Sequence, residues 1–180
     1  MELIEGIKSR RSIRKFKDQA VTKEQIEEIV DIARFSPSWK NSQSVRYLFI
    51  EDRALKDKLA EEAVMGFEWN TGIMKAAPAL VLVLTVDKRA GYERDGSAST
   101  SKGEHWQSFD AGIAAETFCL AAYAKGLGTV ILGVYDEEKV KEIVGVPDGQ
   151  KVSALIPIGV PDEDPEVPKR KETKDLLTVK

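Results

Sequence analysis

The sequence predicts one mixed helix-and-strand domain over residues 1–180, and three features carry that prediction. A capped amphipathic pattern marks a helix near the N-terminus. The run APALVLVL, from Ala77 to Leu84, has the length and two-faced apolar character of a strand covered on both sides. Helical and strand-like segments then alternate almost to the C-terminus, in a chain of a size that folds around one core.

The opening MELIEGIKSRR reads as an acid-led amphipathic turn, without the basic, apolar and small-residue order of a signal peptide. No apolar run approaches the roughly 18 residues needed to span a bilayer, so a cytosolic location is expected. Thr22 and Gln25 have capping-box spacing, and Ile26, Ile29, Val30 and Ala33 recur with helical period until Pro37. After the loop SPSWKNSQS, the β-branched and aromatic VRYLFIE predicts a strand and RALKDKLAEEAV a helix. ALVLVLTV should lie centrally in the sheet. From Arg89 to Gly103 small hydroxyl residues and glycines predict a mobile surface loop with little to bury.

QSFDAGIAAETFCLAAYAKG predicts a helix that is apolar almost all round and closed by Gly126 at C′. Its small side chains would admit a second helix. TVILGV, DEEKVKEIVG opened by Asp136, and VSALIPIGVP predict strand, helix and strand. The last segment, PDEDPEVPKRKETKDLLTVK, has three prolines and no helical period, yet ends in the apolar cluster DLLTV. It is either a disordered end or an arm laid over a partner subunit.

Several chemistries lack their residues. A net charge of −3 gives no global field for nucleic acid. The single cysteine, Cys119, excludes an internal disulfide and a thiolate metal cluster within one chain. The single histidine, His105, builds no metal site with it and reads as a loop or helix-start residue. GLGTVILG runs from helix to strand, the reverse of a dinucleotide fingerprint, and no phosphate loop or nucleophile elbow occurs. Redox chemistry here needs a cofactor. No side-chain acid or base stands out as catalytic.

One charge cluster demands an anion. SRRSIRKF places Arg10, Arg11, Arg14 and Lys15 within eight residues, and in an extended segment Arg10, Ser12 and Arg14 face the same way. Lys169, Arg170 and Lys171 form a second cluster in the tail. On composition alone the first cluster is either a solvated basic turn or half of a phosphate clamp.

With its neighbours it resembles the nitroreductase family of FMN-dependent oxidoreductases, in order along almost the whole chain. The family's R-R-S-x-R-x-F block matches Arg10, Arg11, Ser12, Arg14 and Phe16; its (A/S)-P-S-x-x-N-x-Q block matches Ser36, Pro37, Ser38, Asn41 and Gln43. Asn70 stands before the APALVLV strand where the family places a flavin-contacting asparagine, and the terminal G-L-G of the long helix and the I-G-x-P strand also match. The resemblance implies an α+β sandwich with a central mixed sheet flanked by helices, forming a homodimer with an extended C-terminal arm. It implies FMN held by Arg10, Arg11, Ser12 and Arg14, with Asn70 and the backbone of Ile131, Leu132 and Gly133 at the ring. Lys169 and Lys171, or Arg170 in a shifted register, would reach the phosphate, and Pro37, Ser38 and Asn41 the partner's cofactor.

The chain departs from the family where Gln43 is followed by Ser44 and Val45 rather than Pro-Trp. It has Gly133 where some members carry glutamate, and Ile73 where some have lysine. Trp39, Trp69 and Trp106 are packing or interface anchors, or substrate-stacking rings. The implied reaction passes hydride from NADH or NADPH to nitroaromatic, quinone or related acceptors through FMN, by a ping-pong route. Flavin-dependent dehalogenation, flavin consumption, a flavin carrier of little turnover, and a module holding RNA or an acidic partner are the rivals.

Overall fold

The computed structural model describes residues 2–180. Four strands, β1 (Val45–Ile50), β2 (Ala79–Val86), β3 (Gly128–Thr129) and β4 (Gln150–Gly159), form one sheet in the order β1-β2-β4-β3. Every pairing between named strands is antiparallel, so the expected mixed sheet reduces to a single parallel bridge, Ser12 to Thr129.

Strand β2 is central, as its composition predicts. Side chains alternate across a strand, and here both faces are covered. Ala79, Val81 and Val83 enter one core with α2 (Lys23–Ala33) and α5 (His105–Ala124). Leu80, Leu82 and Leu84 enter a second core with α3 (Arg53–Glu62), α4 (Glu68–Ala76) and α6 (Glu137–Val144). The result is a helix–sheet–helix sandwich.

The capping box of α2 forms as its spacing predicts: Gln25 N–H donates to Thr22 Oγ1 (3.3 Å), and Thr22 N–H donates to Gln25 Oε1 (3.0 Å). Asp136 caps α6, His105 is the first residue of α5, and Gly126 follows α5 at φ +79°. Helix α1 (Leu3–Ser9) leaves Leu3, Ile4 and Ile7 exposed.

Three further expectations are corrected, and one helix had no sequence expectation. Of the TVILGV segment only Thr129 stays in a strand, β3; beyond it the chain meets β4 through the long Val130 N–H to Pro157 carbonyl bond (3.4 Å) and the Leu132–Leu155 bridge. The loop from Arg89 to Gly103 does bury residues. Ala90 is inaccessible, a Cβ on Gly91 would strike the Gly103 carbonyl at 2.3 Å, and Tyr92 bridges Ala98. Helix α4 carries no side-chain N-cap and was not expected from its pattern. Within the tail, Thr173–Leu176 forms a short helix, α7, despite the missing period.

Candidate oxyanion and cofactor site

The basic segment lies on the narrow end of the sheet because two glycines let it. Gly128 and Gly159 pair across β3 and β4. A Cβ on Gly128 would fall 2.6 Å from Ile13 Cγ1, and one on Gly159 would fall 2.6 Å from Pro78 Cδ and 2.9 Å from Phe16 Cδ1. Ile13 is buried on this platform, and its N–H donates to the Thr129 carbonyl at 2.9 Å. Since Ile13 and Phe16 turn inward, the polar side chains between them turn out.

Those cations are differently occupied. Arg10 Nε lies 3.4 Å from Glu116 Oε1 of α5, an ion pair without hydrogen-bond geometry. Arg11 donates to the carbonyls of Lys8 (2.7 Å) and Arg10 (2.8 Å). The exposed Arg14 folds back to the Ser12 carbonyl at 3.2 Å. The Nε atoms of Arg10 and Arg11 are buried without a hydrogen-bond partner among the described residues. Two buried Nε donors without a hydrogen bond, in one segment with the Ser12 hydroxyl and the exposed Arg14 guanidinium, fit an oxyanion, since a buried donor without a hydrogen bond is costly and a charged acceptor repays it.

Asn70 belongs to a second group. Buried in α4, it donates from Nδ2 to the Val134 carbonyl at 3.2 Å, which ties α4 to the stretch 131–134. In that stretch Leu132 is spent: its N–H donates to the Leu155 carbonyl (2.8 Å), its carbonyl accepts from Leu155 (3.2 Å), and its side chain is in the core. Ile131 and Gly133 keep their backbone groups free of such bonds among the described residues. Exposed apolar side chains sit in sequence on both sides of this tie, Met65, Phe67 and Trp69 before Asn70, and Ile131 and Val134 in the stretch it bonds to. Beside Ile131 a cavity of about 540 Å³ opens between Ala111, Gly112 and Ala115 of α5 and Ala154 of β4.

Lys56 supports α4 from behind. It is inaccessible, donates to the carbonyls of Met74 (2.7 Å) and Lys75 (3.4 Å), and pairs with Asp57 at 2.7 Å. Its charge is thereby used to close the C-terminal end of the helix that presents Asn70.

Pro37, Ser38 and Asn41 lie in a loop tethered to α5. Both oxygens of buried Asp110 accept from Trp39 N–H at 3.0 Å, and Asp110 also accepts from the Ser42 hydroxyl at 3.4 Å. Ser38 Oγ accepts from Gln43 N–H at 3.0 Å, while Lys40, Asn41 and Gln43 all have positive φ. Trp39 packs on Trp106 with ring centroids 4.4 Å apart. These two tryptophans pack on each other, whereas Trp69 is exposed. Lys169, Arg170 and Lys171 are exposed and hold no hydrogen bond or ion pair among the described residues.

Burial raises the carboxyl of Asp110 above its ordinary value, against the lowering effects of Trp39 N–H and Ser42. The folded protein thus holds this proton more tightly than the unfolded chain. The contribution favours folding at acid pH and is lost as pH rises from about 4, the unfolded value, through the raised folded one. Asp110→Asn keeps an acceptor for Trp39 and removes the titration. The wild-type minus variant difference in urea-unfolding free energy should fall with rising pH across that window, and a flat difference would overturn the assignment. Cys119 is different: burial pushes its thiol up to about 11, which leaves no thiolate for redox work at neutral pH.

The α+β sandwich thus carries a group of guanidinium donors packed beside a glycine pair and, separately, a buried amide tied to the stretch 131–134. The Nitroreductase family model matches residues 7–70 and 67–160. The chain belongs to the nitroreductase family. It is 31% identical over 170 residues to the NADPH-flavin oxidoreductase of Vibrio harveyi, covering 93% of this chain and 69% of that protein. With the iodotyrosine deiodinase of Thermotoga neapolitana it shares 28% identity, over 96% of this chain and 94% of the relative. A solved structure of NADPH:FMN oxidoreductase from Vibrio harveyi complexed with NAD+ superposes with a TM-score of 0.82 at 27% identity, covering 98% of this chain and 76% of the other.

Proposed function

We propose that residues 1–180 form a single FMN-binding domain that works in the cytosol as an NAD(P)H oxidoreductase and assembles as a homodimer. The observation that carries this reading is the pair of orphaned Nε donors, Arg10 and Arg11, beside Ser12 and Arg14. They suit a phosphate monoester, the charged end of FMN. Asn70 and the free backbone of Ile131 and Gly133 suit the polar edge of the ring. Lys169, Lys171 or Arg170 would add charge at the phosphate, and Pro37, Ser38 and Asn41 would meet the partner's cofactor.

When bound, FMN supplies hydride carriage between nicotinamide and acceptor. The chain's own part is to bind, orient and exclude water. Exposed Phe67 and Trp69 offer a flat apolar wall for a nitroaromatic or quinone. The absence of a catalytic acid or base among Asn70, Ile131 and Gly133 leaves proton delivery to water. Reductive dehalogenation is a second reading, favoured by the likeness to the deiodinase across nearly the whole of both chains.

The test is a visible spectrum after FMN addition and dialysis, followed by anaerobic NADH and then NADPH. A retained flavin band that bleaches supports the reading, and its absence after dialysis overturns it. Turnover with nitroaromatic, quinone and iodotyrosine acceptors separates the two chemistries. Arg14→Ala removes one charged fork and should weaken FMN binding by about 1.5–3 kcal/mol. Unchanged affinity in a fluorescence titration would remove Arg14 from the site.

A further inference from the structure

Glu163 sits at the root of the C-terminal tail, just beyond β4. Its Oε1 accepts hydrogen bonds from two consecutive backbone N–H groups, those of Arg14 (2.5 Å) and Lys15 (3.1 Å). Main-chain bonds continue the contact: Asp162 N–H donates to the Lys15 carbonyl (3.0 Å), Lys17 N–H donates to the Val160 carbonyl (2.9 Å), and Phe16 bridges Pro161. Residues 14–17 are thereby stitched to 160–163.

The choice of partner matters. A carboxylate set against a segment with four cations would ordinarily pair with one of them. Glu163 forms no ion pair with Arg10, Arg11, Arg14 or Lys15; the carboxylate that does reach the cluster is Glu116, at Arg10. By taking main-chain donors, Glu163 fixes the peptide planes on either side of Arg14 and leaves the Arg14 guanidinium free of any carboxylate. Its half-buried position in a charge-assisted pair of bonds makes this a firmer hold than an exposed ion pair.

We propose that Glu163 is a positioning residue of the oxyanion site: it aims Arg14 by holding the backbone at 14–15, and so sets how strongly the site prefers a phosphate-bearing flavin to the dephosphorylated one. The inference rests on the FMN reading above. It also links the basic segment mechanically to the strand from which the tail departs.

The experiment titrates apo-protein with FMN and, separately, with riboflavin, following flavin fluorescence. Wild type should bind FMN more tightly than riboflavin. Glu163→Ala should weaken FMN binding by about tenfold or more, the order expected for losing a charge-assisted hydrogen bond, with riboflavin affinity changed by less than about twofold. Glu163→Gln retains an acceptor oxygen and should recover most of the loss. Equal weakening of both flavins would mean that Glu163 only supports the fold, and unchanged FMN affinity would mean that it does not aim Arg14; either result overturns the inference. If the alanine variant does not fold, Glu163→Asp, one methylene short of the two N–H groups, is judged by the same FMN to riboflavin ratio. A wild type that binds both flavins equally would instead sink the FMN phosphate reading, and this inference with it.

Discussion

Gly128→Val is expected to destabilise the protein by about 1–3 kcal/mol, the usual range for overpacking a filled site, and to weaken FMN binding at least about tenfold. Any Cβ at this position lies 2.6 Å from Ile13 Cγ1, 2.7 Å from its Cβ and 2.9 Å from its Cγ2. Ile13 cannot retreat easily, because its own N–H is bonded to the Thr129 carbonyl next to the glycine. The segment must therefore lift, and Ser12 and Arg14 lift with it. Gly159→Ala presses on the same segment from the other strand through Phe16 and Pro78. Gly72→Ala in α4 is the control. A Cβ there meets nothing within 4 Å, and replacing a helix-interior glycine should be neutral or stabilise by up to about 1 kcal/mol. Urea unfolding reads the stability and fluorescence titration the flavin affinity. Normal FMN affinity in a folded Gly128→Val protein would show that the phosphate end lies elsewhere.

This platform also separates what was legible in the sequence from what was not. Local features were legible. The Thr22–Gln25 box, the Asp136 cap and the two-faced apolar run of β2 each depend on spacings of a few residues, and each formed. Helix α4 was not legible, since Phe67 gives it no cap and its far end is closed by Lys56 from α3. The full TVILGV strand failed beyond its first residue, since past Thr129 only the Val130–Pro157 hydrogen bond and the Leu132–Leu155 bridge hold it to β4. Composition misread the Arg89–Gly103 loop, whose Gly91 is packed against Trp106.

In the site, the tethers were the hidden part. Asp110 reaches the Trp39 loop across 71 positions and Glu163 reaches Arg14 across 149. One signal was available for the first: an acid in the second turn of a largely apolar, alanine-rich helix is there for a partner. For Glu163, one acid among several in a polar tail, the sequence offered none.

Deleting residues 173–180 is expected to weaken a homodimer by about ten- to a hundredfold. The tail reads either as a disordered end or as an arm, and its chemistry favours the arm. Leu176, Leu177 and Val179 are 71%, 62% and 85% exposed in the single chain, next to a short helix that already orders part of the segment. The candidate receptacle is a groove with an apolar floor and a charged rim. Strand β1 is an edge strand, and this groove of about 560 Å³ runs beside it, floored by Ile26, Val30, Val45, Tyr47 and Phe49. Fully burying one large aliphatic side chain is worth about 1.5–3 kcal/mol, so losing even one such contact per interface gives the stated factor. The deletion stops short of Lys169, Arg170 and Lys171, so it leaves the tail's cationic cluster intact. Sedimentation of wild type and truncated protein over a concentration series decides the matter. A monomer–dimer equilibrium displaced toward monomer supports the arm; an unchanged dimer would assign association to the small-residue face of α5 and return the tail to a solvated end.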